Sequence, residues 1–428
     1  MKSLQSLLLL IAVSACSDAA MSPVPPPPPP PPNTARVAYC AGSEPLWVAF
    51  QDGDEAWTRA LPSTSNSNIV FQRTFASDRA AIAAAFDAGF GITSLQVLYG
   101  TPAELELVGR TYPGFCLPFQ KILLASVAGL DSNQFAYVAG GYVTEVPVLI
   151  NESFSLEGMP PGPRDIVAAR VTFTASTSIL NRLILRRDVD LPSGTTLPVL
   201  DFNSAEAFAP AIRNVTLMGI GDRATVSTRL ITSNFDGLLS TPLSHHVGTI
   251  GPYVALPEDR LRPGDLEQLA AQTQGVAPTS RLSTSVYFRT PIDRTLEFGP
   301  EVIPPTFTTV AMLPTLRLRA RFVPQDAYDR AVVISYQQNV VDFSGAHTGI
   351  QVSVSMTAAY AQLIGGWDLT IPELTGVTGF QPAWALIPGF EVRWSAVRLG
   401  GTLPLGFTAV PRNGDVQRVA SRDDIITP

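Results

Sequence analysis

Lysine is almost absent from this chain: of 29 basic residues only Lys2 and Lys121 are lysines, and the arginines are spread along its length. With 36 acidic residues and a net charge of -7, no polybasic patch exists to hold nucleic acid or anionic lipid, so a nucleic-acid partner is not expected. Charged residues make up only 15% of the chain while the AVILMFWYC set reaches 46%. That balance excludes a disordered solvating chain and leaves ample material for a core. Long apolar runs are lacking too. The run at residues 7–13 (LLLLIAV) falls far short of the ~18 residues a membrane-spanning helix needs, and nothing later approaches that length. The mean hydropathy of +0.19 therefore points to buried strands.

Catalytic and metal-binding patterns are equally scarce. There is no G-x-S-x-G, no H-E-x-x-H, no phosphate-binding Walker loop and no cysteine spacing suited to zinc. Of the three histidines only His245 and His246 are neighbours. On a strand they point to opposite faces, so they do not chelate one ion from regular β structure. Asp52-Gly53-Asp54-Glu55 has clustered oxygens but lacks the alternation of a Ca²⁺ loop, and a turn is the better reading. Asp188-Val189-Asp190 and Asp131-Ser132-Asn133 read the same way. Gly219-Ile220-Gly221 lacks the third glycine of a dinucleotide fingerprint and reads as a β-turn. No catalytic residue, metal or cofactor is assigned, and an enzymatic role is the weaker expectation.

The front of the chain is informative. Met1-Lys2 is a short positive region, residues 7–13 an apolar core, and Ser14 and Ala15 are small, the arrangement of an export signal. Val13-Ser14-Ala15-Cys16 closely resembles the lipobox of bacterial lipoproteins. The resemblance covers 1–15 as signal peptide and implies that Cys16 is lipidated, with palmitate among its acyl chains, and becomes the first mature residue. Two or three chains, as in that family, anchor stably where one holds only reversibly. In the family an Asp directly after the Cys favours the inner membrane; Ser17 stands there and Asp18 follows, so the outer membrane is favoured if the envelope has two. Residues 25–32 are all proline, which forms a polyproline II rod of roughly 25 Å at ~3.1 Å per residue. Residues 16–35 thus read as a lipidated start and stalk.

Export also sets the redox setting. With Cys16 lipidated, Cys40 and Cys116 are left as an even pair, and a disulfide between them is expected. In the chain-entropy picture so long a loop contributes at most roughly 4 to 5 kcal/mol.

From Arg36 onward, short alternating segments recur between turn signals, the pattern of β-sandwiches rather than βαβ units. Leu282, Thr284, Val286 and Phe288 share one face of a strand, as do Leu316, Leu318, Ala320 and Phe322, with Arg317, Arg319 and Arg321 opposite. Val352, Val354 and Met356, then Val392, Trp394 and Ala396, repeat the pattern. A few short helices are expected at residues 79–86 (RAAIAAAF), 266–271 and from Thr101-Pro102-Ala103-Glu104. The fold expectation is all-β, several β-sandwich modules in series after the signal peptide and stalk. They divide as a disulfide-closed module at 36–118, a second at 119–205, a third at 206–310 and a fourth at 311–415, the last two alternatively one larger unit, and a polar, frayed tail at 416–428 with a last strand at 424–427.

Within the second module, Phe154-Ser155-Leu156-Glu157-Gly158-Met159 leads through Pro160-Pro161-Gly162-Pro163 into Arg164-Asp165-Ile166-Val167-Ala168. This stretch resembles carboxypeptidase regulatory-like and transthyretin-like sandwiches. The resemblance implies a non-catalytic accessory domain of an exported protein.

Trp47, Trp57, Trp367, Trp384 and Trp394 have two open fates, a stacking surface for sugars or core packing. The function expected is a lipid-anchored envelope protein with a non-catalytic binding or structural role, whose partners are the membrane and an envelope protein or carbohydrate. The alternative is an extracellular polymer hydrolase, for glycan or peptide, with acids on β loops.

Overall fold

The computed structural model describes residues 33–40, 44–65, 68–89, 91–109, 121–140, 145–150, 152–159, 162–173, 178–219, 223–232, 236–238, 245–247, 249–341, 347–405 and 410–428. The signal peptide, Cys16, the proline run and Cys116 lie outside the described residues.

The fold is all-β. Its centre is one large antiparallel sheet with a single parallel seam. In spatial order its long strands are Trp47–Asp52, Ala80–Gly89, Ile92–Gly100, His347–Thr357, Ala331–Val341, Val392–Gly401, Val416–Ile426, Ser280–Phe288, Leu266–Gln274 and Arg223–Ile231. The seam is the parallel pairing of Ile92–Gly100 with His347–Thr357. Strands from the first, third and fourth stretches of sequence therefore join in one hydrogen-bonded layer.

The inner face of this sheet is apolar, as period-two patterning requires. Leu95, Val97, Val352, Val354, Ile334, Tyr336, Trp394, Ala396, Ala420, Leu282 and Leu269 are buried there in one continuous core. Two three-stranded sheets supply the opposing layer. One joins Ile250–Ala255, Ala211–Met218 and Arg294–Glu297; the other joins Thr306–Ala311, Arg317–Phe322 and Trp367–Thr370. Their Leu217, Tyr253, Leu296, Leu318, Phe322 and Leu369 complete the core.

Residues of the second stretch form a sandwich of their own. A four-stranded sheet (Glu145–Val148, Gln134–Gly140, Arg164–Phe173, Ser178–Val189) packs on a three-stranded one (Ser153–Met159, Lys121–Ala128, Leu200–Asp201) around Leu123, Val138, Leu156, Ile166 and Phe202. The strands expected on either side of the Pro-Gly turn are both present, one in each sheet. The outer side of the four-stranded sheet packs through Val167, Val171, Leu180 and Leu183 on Leu230, Val254 and Leu256 of the rest of the fold.

A buried ion network joins the same two parts. Arg187 donates to Asp165 at 2.8 Å and to Asp265 at 2.7 Å, and these carboxylates are 1% and 4% exposed. Asp165 also accepts from Thr232 and from the Asp188 amide, both at 2.9 Å, while Asp265 accepts from the Arg262 amide at 2.8 Å. Such a network holds only because its polar atoms are matched within it.

Two expected helices are strands. The alanine-rich run is the strand Ala80–Gly89. It is buried on both faces, with Ala81, Ala83 and Ala85 under the main core and Ala80, Ile82 and Ala84 under a small sheet of Thr34–Cys40, Asn68–Thr74 and Ser63–Ser65. A strand covered twice has no polar face, so its apolar run imitates a helix. Residues 266–271 belong to the strand Leu266–Gln274, held between two neighbours whose pairing overrides helical propensity. The helix expected from Thr101 does form, as Pro102–Gly109. Thr101 and Glu104 cap it reciprocally: the Glu104 amide donates to the Thr101 hydroxyl at 3.3 Å and the Thr101 amide to the Glu104 carboxylate at 2.9 Å.

The tail also differs from expectation. Residues 416–426 form the strand Val416–Ile426, paired on both sides by Ser280–Phe288 and Val392–Gly401. Ala420 is buried in the main core, and residues 417–422 are paired on both sides.

Candidate functional site: a polar trough on the large sheet

The outer face of the large sheet has two regimes. Over Trp47–Asp52 and Ala80–Gly89 it is apolar and covered by Val37, Tyr39, Phe71, Phe75 and Leu105. From Ile92–Gly100 onward it carries hydroxyl and amide side chains in cross-strand rows.

Register defines the rows. Ser94 lies opposite Gln351, Gln351 opposite Gln337, and Gln337 opposite Arg393. One step along the strands on the same face, Gln96 lies opposite Ser353, Ser353 opposite Ser335, Ser335 opposite Ser395, and Ser395 opposite Asp423. A third row runs Leu98, Ser355, Val333, Val397, Ser421 and Arg281, and a fourth continues through Val419, Ser283, Gln272 and Thr225. The middle serines are short, and Ser335 and Ser353 share a hydrogen bond at 2.8 Å. Gln351, Gln337 and Arg393 beside them are long and exposed. The result is a low serine floor with a raised wall.

Three hollows follow this floor. The first, about 330 Å³, has an apolar side of Val37, Tyr39, Ile82, Ala84, Leu98 and Leu105 at the covered end and a polar side of Ser94, Gln96, Gln351, Ser353 and Ser355. The second, about 490 Å³, holds Ser335, Gln337, Arg393, Ser395, Asp423 and Asp424. The third, about 750 Å³, holds Thr225, Gln272, Gln274, Arg281, Ser283 and Ser421. Gln351 lines the first two, and Thr279 and Asp423 line the second and third, so the hollows form one trough. Its amides at Gln272, Gln337 and Gln351 have no hydrogen-bond partner among the described residues and are exposed. Its chemistry is hydrogen bonding in both directions, since hydroxyls and primary amides each donate and accept.

The tryptophans do not share an exposed platform. Trp47 is 2% exposed and its indole N–H donates to the Thr378 carbonyl at 3.1 Å; Trp384 and Trp394 are each 4% exposed. Phe380 and Trp384 flank Trp47 at ring distances of 5.3 and 6.2 Å, and Trp394 meets Phe307 at 5.2 Å. Trp57 and Trp367 are half-buried against the same core. Burial commits Trp47, Trp384 and Trp394 to core packing, so the five rings do not together form a stacking surface.

Other singled-out residues are placed as follows. Asp52 is buried and accepts from the Ala76 and Ser77 amides at 2.7 and 2.9 Å. Asp54 pairs with Arg79, whose hydrogen bond holds the carboxyl below its ordinary range. Both carboxylates are thus engaged in a turn around Gly53, at φ +55°. The Arg317, Arg319 and Arg321 stripe faces Asp368 and Glu373. Arg319 Nε donates to Asp368 at 2.6 Å and holds that carboxyl low, and Arg317 reaches Glu373 at 3.3 Å. Asp368 and Glu373 offset two of the stripe's three charges. His245 and His246 pair with Thr225 and Ala224, and His347 begins a strand of the large sheet. The histidine side chains, the Cys40 side chain and all of Cys116 lie outside the described residues, so the disulfide stays an expectation. Among the described residues no group of three or more His, Cys, Asp or Glu is arranged to hold a metal.

Sequence reasoning followed the inward residues of these strands and passed over the outward ones. The signal was present as Gln351-x-Ser353-x-Ser355, Ser335-x-Gln337 and Ser94-x-Gln96.

No protein family and no curated protein matches the chain. Among solved structures it is similar to a Ca2+-stabilized adhesin that helps an Antarctic bacterium reach out and bind ice, at 10% identity over 90% of this chain and 89% of that one, with a TM-score of 0.12. It is also similar to the FN1-FN3 domains of chicken CNTN1, at 10% identity over 82% of this chain and 95% of that one, with a TM-score of 0.14. Neither likeness bears on what this chain binds.

Proposed function

We propose that this is an exported, lipid-anchored bacterial envelope protein with a non-catalytic binding role, and that the polar trough is its binding surface. The trough carries the reading: a face eight strands wide, left polar and hollowed along adjoining pockets, is more than solvation of a sheet requires. Uncharged donor-acceptor groups outnumber the charged Arg281, Arg393, Asp423 and Asp424 in its lining. Lipid attachment at Cys16, the polyproline stalk and the outer-membrane placement rest on the sequence of residues 13–32. In this scheme the stalk lifts the β fold off the lipid surface, leaving the trough open to the envelope space.

Two measurements test it. Radiolabelled palmitate should enter the parent chain and not Cys16→Ser, and Cys16→Ser should leave the membrane fraction. The parent chain should capture a ligand from envelope extracts without turning it over. Unchanged fractionation of Cys16→Ser overturns the anchor, and turnover that survives repurification overturns the non-catalytic role.

A further inference from the structure

We infer that the ligand of the trough is an extended, uncharged polysaccharide lying across the strands along the serine floor; this rests on the trough being the binding surface, as proposed above. Lining chemistry comes first. Hydroxyls at Ser353, Ser395, Ser283 and Ser421 and free amides at Gln272, Gln337 and Gln351 both donate and accept, and so do the hydroxyls of a sugar chain. An ionic ligand satisfies only half of each such group, and an apolar one satisfies neither.

Charge agrees with this. Arg281 and Arg393 are balanced by Asp423 and Asp424, so the trough presents no net field to gather a polyanion or a polycation. Half-buried Val333 and Val397 are cross-strand neighbours and make an apolar spot in the row beside the serines. A pyranose has the same two aspects, hydroxyl edges and an apolar C–H face. A protein partner would instead need pockets for large aromatic or arginine anchors, and the floor here is serine.

Dimensions set the ligand's length. Five strands, from Ile92–Gly100 to Val416–Ile426, carry the floor from Gln96 to Asp423, and at ~4.8 Å between strands this is about 19 Å. Several sugar residues fill that span, and a monosaccharide does not.

The experiment is affinity electrophoresis of the full chain through dextran, mannan, xylan and polygalacturonate, with titration calorimetry on any polymer that retards it. Saturable binding to at least one neutral polymer, insensitive to added salt, is expected. Ser335→Tyr and, separately, Ser395→Tyr fill the floor and should abolish that binding, while Gln337→Ala should weaken it by about fivefold, the worth of one neutral hydrogen bond. Thermal unfolding of each variant reports whether the sheet is intact. Binding to no neutral polymer, or only salt-sensitive binding to polygalacturonate, overturns the polysaccharide assignment. If an envelope protein is then captured by the parent and not by Ser335→Tyr, the trough stands as binding surface and only its ligand class falls. Neutral-polymer binding that survives all three substitutions overturns the trough itself.

Discussion

Glu267 offers a sharp test of how the core is built. It lies on the inner face of the strand Leu266–Gln274 at 0% exposure, one carboxyl oxygen accepting from the Leu256 amide at 2.7 Å and the other without a partner among the described residues. Burial is the dominant influence, pushing its pKa from 4.5 up to about 8 against the pull of the Leu256 amide and of Arg294, with Asp265 adding to the rise. The carboxyl is therefore protonated in the fold at neutral pH. Its linkage has a definite sign. Below pH 4.5 both states are protonated and the group costs nothing; between 4.5 and about 8 the unfolded chain ionises and the fold does not. Stability then falls by roughly 1.4 kcal/mol per pH unit, or about 3 kcal/mol by pH 7. Glu267→Gln keeps the shape and the acceptor for Leu256 but has no proton to lose. It should match the parent near pH 4.5 and exceed it by about 3 kcal/mol at pH 7. Guanidinium unfolding of both proteins at several pH values measures this, and taking the difference cancels the other titrating groups. Parallel stability curves would refute the reasoning, because they would mean the buried carboxyl is solvated or ion-paired.

Arg187→Ala leaves the buried Asp165 and Asp265 carboxylates without their shared cation and should cost about 3 to 5 kcal/mol, read as a lowered unfolding midpoint with new proteolytic cleavage between residues 121 and 208. Arg398 is fully buried, donates to the Val323 carbonyl at 2.6 Å, stacks on Phe322 at 5.1 Å and leaves two of its nitrogens unpartnered among the described residues. Arg398→Met should raise stability by about 1 to 2 kcal/mol, as replacement of a buried charge commonly does; a fall in the thermal midpoint would show that the cation is needed. At Gly400 an added methyl carbon would sit 2.0 Å from the Ala327 carbonyl oxygen, so Gly400→Ala should cost about 3 kcal/mol or more. Gly264, at φ +93° with nothing near, gives the comparison: Gly264→Ala should cost only about 1 to 2 kcal/mol of backbone strain.

How far the fold was readable from residues depended on how many faces of an element meet water. Strands with one wet face, such as Arg317–Phe322 and Val392–Gly401, show period two and are legible from it. Ala80–Gly89, covered on both faces, lost that signal and imitated a helix. The segment at 416–426 failed for another reason: Arg418, Arg422, Asp423 and Asp424 make it look solvated, yet it sits between two long strands. Arg418 and Arg422 share the inward face with Ala420, so their charge conceals a strand whose backbone is paired on both sides from 417 to 422. Of the two fates open to the tryptophans, Trp47, Trp384 and Trp394 take core packing.

The seam between Ile92–Gly100 and His347–Thr357 explains why the trough is not legible in the sequence. Parallel neighbours share no hairpin, so no turn motif marks the meeting of residues some 250 positions apart. Yet the trough crosses this seam: Ser94 and Gln96 reach it from the first part of the chain, and Gln351, Ser353 and Ser355 from the last. Each strand by itself displays two or three small polar residues, which is what any exposed strand face displays. Only pairing in this register lines Gln96, Ser353, Ser335, Ser395 and Asp423 into one row. A slip of one residue would turn every one of them into the apolar core. The core packing that fixes the register therefore also places the hydroxyls, and the polar face exists only when Ile92–Gly100 and His347–Thr357 have both joined the sheet.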